Sequence, residues 1–208
     1  TVNVAAPSTQ TVANNDFVWR GTTNTAWSTA SNWVKFDGTT YAVASTSPVA
    51  TDNVFIPQNN TCVVNQPSIG TGTVAAKAVY IEPSATVTGG SGTLDVKGNF
   101  TNNGTFTAGT GTVSFSGTTA QQITGATTFY NLTENNSAGL TLNSPVMVSN
   151  GLTMTAGDIT TSSTNLLALG NSAPSTLAWT SGKVVGPMKR WIAAATNSGA
   201  SSSLFPLG

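Results

Sequence analysis

The chain has no histidine, one cysteine and little charge: seven Lys or Arg and seven Asp or Glu in 208 residues, 7% in all. Without histidine there is no Ser-His-Asp or Cys-His nucleophilic system, and the commonest zinc ligand is missing. The single cysteine, Cys62, excludes an intrachain disulfide, a thiolate metal site and a CxxC redox pair. Its setting in TCVVN points to a small buried hydrophobe rather than a reactive thiol. The bases Arg20, Lys35, Lys77, Lys97, Lys183, Lys189 and Arg190 are scattered and cancelled by the acids, so no nucleic-acid partner is expected. No stretch approaches the roughly 18 apolar residues of a spanning helix, and no membrane insertion is expected. The opening TVNVAAPSTQ carries neither the basic region nor the apolar run of an export signal, which is expected to have been removed or not included.

What fills the chain instead is Thr, Ser, Asn and Gly, with 38% hydrophobic residues, enough for a core. A surface made soluble by hydroxyls and amides rather than charge suits an extracellular or cell-surface location. Apolar residues alternate with polar ones in short bursts: Val54 and Ile56, Val79 and Ile81, Leu94 and Val96, Val113 and Phe115, Leu140 and Leu142, Val146 and Val148, Leu167 and Leu169. Period 2 over three to five residues, broken by Gly, Asn and Ser, predicts many short strands with one buried face and no sizeable helix.

Internal repetition sets the architecture. VFIP at 54–57 echoes VYIEP at 79–83, and GNFTNNGTF at 98–106 aligns with GLTMTAGDI at 151–159. Leu94 and Val96 recur 19 residues on as Val113 and Phe115; Leu132 follows Val113, and Leu167 follows Val148, by the same interval. A period near 19 predicts an all-β chain folded as a right-handed parallel β-helix (β-solenoid), one coil of three short strands per repeat, with a β-sandwich as the alternative. Asn103-Gly104 and Asn150-Gly151 are expected at corners with positive φ. Residues 74–190 then make about six coils, a rod about 30 Å long. An open end of such a rod is an unpaired edge, so a cover is required, and the Trp-rich stretch FVWRGTTNTAWSTASNW at 17–33 is placed to supply it. The expected division is an N-terminal extension or linker (1–16), a Trp-rich capping region with the first coils (17–73), the β-solenoid (74–195) and a truncated C-terminal segment (196–208).

Trp19 and Gly21, Trp27, Asn32-Trp33, Pro48 and Asp52 to Pro57, followed by glycine-bracketed strands, GLTMTAGDITT, VVGPMKRWI and LFPLG, give an order of motifs that resembles the β-solenoid modules of large secreted surface proteins of Bacteroidota. The resemblance covers most of residues 17–208. It implies an adhesin-like structural region of the cell surface, cut from a longer precursor with a separate sorting domain, and it carries no catalytic motif to map onto this chain.

The residues point the same way. The acids Asp16, Asp37, Asp52, Glu82, Asp95, Glu134 and Asp158 are isolated in sequence, whereas polysaccharide-degrading β-helices need clustered carboxylates or a Ca²⁺ site with bases. One coil brings Asp95 near Ser114 or Lys77, with no second carboxylate. GGSGTLDVKGN lacks the ending of a phosphate loop and reads as turns. No catalytic residue, cofactor or metal ligand is therefore assigned, and the chain is expected to be a non-enzymatic structural or adhesive module, with self-association through its ends. The alternative is carbohydrate binding, with Trp19, Trp27 and Trp33 as stacking surfaces and Asn32 and Asp37 orienting sugar hydroxyls. A third reading, ice binding, rests on TxT triplets, of which TVT at 86–88 and TFT at 105–107 lie one coil apart. Near the other end, Trp179, Lys189, Arg190 and Trp191 are expected to seal the last coil or dock a following domain.

Overall fold

A computed structural model describes residues 4, 7, 10–58, 62–173 and 175–191. Among them the only helical element is a 3-10 turn, Ala30–Asn32, and the rest of the regular structure is β. Successive coils stack in parallel into a β-solenoid of about six turns, as the repeat spacing predicts. Two long sheets and a narrower third face enclose the core. The first sheet has ten strands and runs from Tyr41–Val43 at one end to Val184–Val185 at the other; the second has eight, from Thr73–Ala76 to Met188–Arg190. The third face carries Thr86–Thr88 paired with Thr105–Thr107, preceded by bridges from Ala26 to Ser68 and from Ser68 to Thr88.

Register follows the sequence echoes closely in the middle of the rod. Leu94 pairs with Val113 and Val113 with Leu132, and Val54, Phe55 and Ile56 pair with Val79, Tyr80 and Ile81. Period 2 then sends one alternate set inward, so that like stacks on like across coils: Val54, Val79, Phe100, Ile123 and Leu142 form one inner column. Phe100, Phe106, Phe115 and Phe129 meet edge-on or tilted at centroid distances of 5.6–6.4 Å in the middle of the core.

Three local expectations are corrected. Val148 pairs with Leu169, not Leu167, because the coil there is longer. The 98–106 and 151–159 stretches are not equivalent: the first contributes Phe100–Asn102 to the ten-stranded sheet, the second lies in the eight-stranded one until Ala156. Finally, Asn103-Gly104 does form the bend between Phe100–Asn102 and Thr105–Thr107 but without positive φ, and Asn150-Gly151 lies inside the strand Val146–Ala156. Positive φ falls on other glycines, such as Gly70, Gly90 and Gly109, which stack one above another. A Cβ on Gly109 would lie 2.1 Å from the Gly90 carbonyl oxygen, so both the backbone angle and the coil spacing demand glycine there.

The parallel stack stops at its N-terminal end by reversing strand direction. Phe17–Trp19 pairs parallel with Asn53–Ile56, but Trp33–Phe36 pairs antiparallel with Phe17–Trp19, and Tyr41–Val43 antiparallel with Trp33–Phe36. This leaves a short three-residue strand as the sheet edge, which limits further strand addition. A second, smaller cluster of Val18, Val34 and Phe55 lies on the outer face of the sheet, and Val4, Val12, Tyr41 and Tyr80 pack over it. The expected segment 196–208 lies outside the described residues.

Candidate functional site

The sequence-marked tryptophans fold inward. Trp19, Trp27 and Trp33 are all 0% exposed, because they sit on the core side of the capping strands and of the loop between them. Trp33 is the hub: its ring meets Trp19 edge-on at 4.9 Å, Trp27 at 4.8 Å and Phe17 at 6.3 Å. The Trp33 indole N–H donates to the Trp27 carbonyl at 2.7 Å and that of Trp19 to the Asn65 carbonyl at 2.6 Å. That of Trp27 is buried without an acceptor. A sugar stacks on an indole only through an exposed face, and these three present none: they form the lid that their place before the first coils suggested, rather than the alternative glycan platform. Lys35 lies over the ring of Phe17, 5.0 Å from its centroid, on the same layer.

Asn32, expected to orient a ligand hydroxyl, is fully buried and fully used. Its Oδ1 accepts from the Thr23 and Asn24 amides, and its Nδ2 donates to Asn24 Oδ1 and the Ala26 carbonyl, all within 3.1 Å. One side chain thus ties down the loop carrying Trp27. Asp37 is exposed and caps its own turn, accepting from the Thr39 and Thr40 amides at 2.9 and 2.7 Å and from the Thr40 hydroxyl at 3.0 Å. The Thr40 amide bond, followed by that from Thr39, holds its carboxyl below the usual value. The structure therefore brings the three indoles and Asn32 together as a fold-closing cluster and leaves Asp37 outside it.

The remaining carboxylates have local partners. Asp16 accepts from the Ala13 amide and from Asn53, Asp52 from the Val49 amide, and Asp158 from the Lys183 amide. Asp95 pairs across the coil with Ser114, as expected, but its charge is met by Lys97 at 2.8 Å, and Ser116 hydrogen-bonds to both. Cys62 is half-buried against the core. Among the described residues no group of three or more Cys, Asp or Glu is placed to hold a metal ion.

The TVT and TFT triplets do stand in register, Thr86 with Thr105 and Thr88 with Thr107, but this sheet is two strands wide. A longer polar column lies on the outer face of the eight-stranded sheet, where Asp95 is followed coil by coil by the hydroxyl residues Ser114, Thr133 and Thr153. Trp179 and Trp191, by contrast, are 52% and 46% exposed, and Trp179 closes its own turn by donating to the Gly182 carbonyl at 2.6 Å.

One residue of consequence escaped the sequence reading as more than an isolated acid. Glu134 points into the core and is 0% exposed, stacked between Phe115 and Met154. The signal was present: Glu134 falls 19 residues after Phe115, itself 19 after Val96, and so occupies the inward phase. Burial pushes its carboxyl up to about 8, opposed by one hydrogen bond from the Asn136 amide.

No family model, curated protein or solved structure matches the chain.

Proposed function

We propose that this chain is a non-enzymatic structural and adhesive module of a secreted or cell-surface protein, of the adhesin-like kind its motif order resembles. The observation that carries this reading is the design of the rod itself: one end is closed by a purpose-built aromatic layer, while the long sides present hydroxyl columns with almost no net charge. Such a body serves to hold distance and to offer a repeating lateral surface, and both tasks need register rather than a reactive pocket. Among the described residues, no helix is long and apolar enough to cross a membrane.

Self-association and glycan contact are the two adhesive modes proposed. Both belong to the sides or the far end, since the N-terminal indoles have no free face. Beads carrying the chain, presented to glycan arrays and to surfaces coated with the same chain, test this directly. Retention that survives high salt is expected, because neutral faces owe little to screened charge. Lack of retention on both surfaces removes the adhesive reading, and release of reducing ends from a polysaccharide would put an enzyme in its place.

A further inference from the structure

We propose that Glu134 is a proton-operated latch within the solenoid: its acid form closes the corner after Thr127–Asn135, and loss of the proton opens the Asn136–Gly139 turn and unpairs the adjoining strands. The inner column to which Glu134 belongs runs Ala76, Val96, Phe115, Glu134, Met154, so a carboxyl replaces an apolar side chain within a hydrophobic stack. Its Oε1 accepts from the Asn136 amide at 3.3 Å, while its Oε2 is buried with no partner.

The two side-chain amides of the adjoining polar cluster, those of Asn136 and Gln121, are already committed to other acceptors. Asn136 Nδ2 is engaged by the Thr119 carbonyl at 2.7 Å and by Gln121 Oε1 at 3.0 Å. Gln121 Nε2 is engaged by the Val96 and Gly98 carbonyls at 2.9 and 2.6 Å. Gly157 brings no side chain at all. The strand on one side faces Glu134 with Phe115 and the strand on the other with Met154. The flanking strands Thr112–Phe115 and Val146–Ala156 carry no charged residue, and of the charges one coil or one turn farther off, Lys97 is paired with Asp95 and Asp158 accepts from the Lys183 amide. Ionised Glu134 can therefore gain solvation only by reaching water, and the shortest way is through the turn that its own hydrogen bond anchors. Asn135, Ser137 and Ala138 in that turn are exposed, and an open polar groove lined by Ser137, Gly139, Gly157 and Asp158 lies there.

The direction with pH follows from linkage. In the open corner the acid ionises near 4.5, in the closed corner near 8. Between those values the open form binds fewer protons, so the closed form loses about tenfold in equilibrium per pH unit, levelling off above 8 after a loss on the order of a thousandfold. Amide hydrogen exchange from pH 5 to 9, corrected for intrinsic rates, reads this at residues 131–139 and 151–157, with 33–36 in the cap as the reference. The wild-type chain is expected to lose protection at the corner and not at the cap, whereas Glu134→Gln and Glu134→Met hold their protection constant. A flat wild-type profile, or variants with the wild-type slope, overturns the latch. Should neither variant fold, the carboxyl carbon resonance of Glu134 in the wild-type chain decides: titration near 8 together with corner exchange supports the latch, and titration near 4.5 overturns it.

Discussion

The two ends of the rod use the same residue type to opposite effect. At the first end Trp33 is completely buried and touches Phe17, Trp19 and Trp27; at the other, Trp179 and Trp191 leave about half of their surface uncovered. Trp27, Trp33 and Trp179 stand next to Ser28, Asn32 and Thr180, and Trp191 directly follows Lys189-Arg190. The difference lies in what is stacked beyond them. Two antiparallel strands and a loop fixed by Asn32 enclose the first set, whereas Trp179 lies on the last described strand paired with Val146–Ala156. A tryptophan at a solenoid end is thus a lid where the chain folds back over it and an exposed surface where the described chain does not.

Substitutions can break this comparison at several strengths. Trp33→Ala should have the largest effect, about 3–5 kcal/mol lost in a denaturant titration, because it removes the hub of an aromatic cluster and leaves a cavity. A Trp33→Ala chain of unchanged stability would mean that the lid does not close the fold. Asn32→Ala comes next, at about 2 kcal/mol, since two amides and a carbonyl lose their partner but belong to a loop that water can reach in part. Its expected signature is a lower melting temperature with accelerated proteolysis in residues 22–32. Trp179→Ala should cost no more than about 1 kcal/mol, given its exposure, while reducing bead retention if the far end takes part in adhesion. Asp37→Asn should do least, with at most a slight fall of the melting curve at neutral pH, because the side chain is exposed and an Asn Oδ1 can still accept from the Thr39 and Thr40 amides.

Much of the fold was legible because a solenoid repeats. The spacing from Leu94 to Val113 to Leu132 is a direct imprint of one coil on the next, and VFIP against VYIEP records the same pairing. Legibility failed where coils change length. Ile159 pairs with Val184, 25 residues on, and no fixed interval in the sequence anticipates that. The corner glycines were misassigned for a related reason: Asn-Gly favours a turn locally, but which residue takes positive φ depends on how the coils lie over one another. For the candidate site, residue type was a poor guide, since an indole is suited equally to a sugar and to a core.

The sequence by itself determined the strand-forming period, the near-19 repeat, the absence of histidine chemistry and the need for a cover at the first end. These are properties of composition and spacing, which one coil imposes on the next. Only the tertiary structure decided which faces those side chains meet. It turned Trp19, Trp27 and Trp33 inward, converted Asn32 into a loop fastener and placed Glu134 among Phe115 and Met154. The reason is that burial is set by the neighbouring coil, many residues away in sequence, and a carboxyl or an indole has no fixed role until that neighbour is in place.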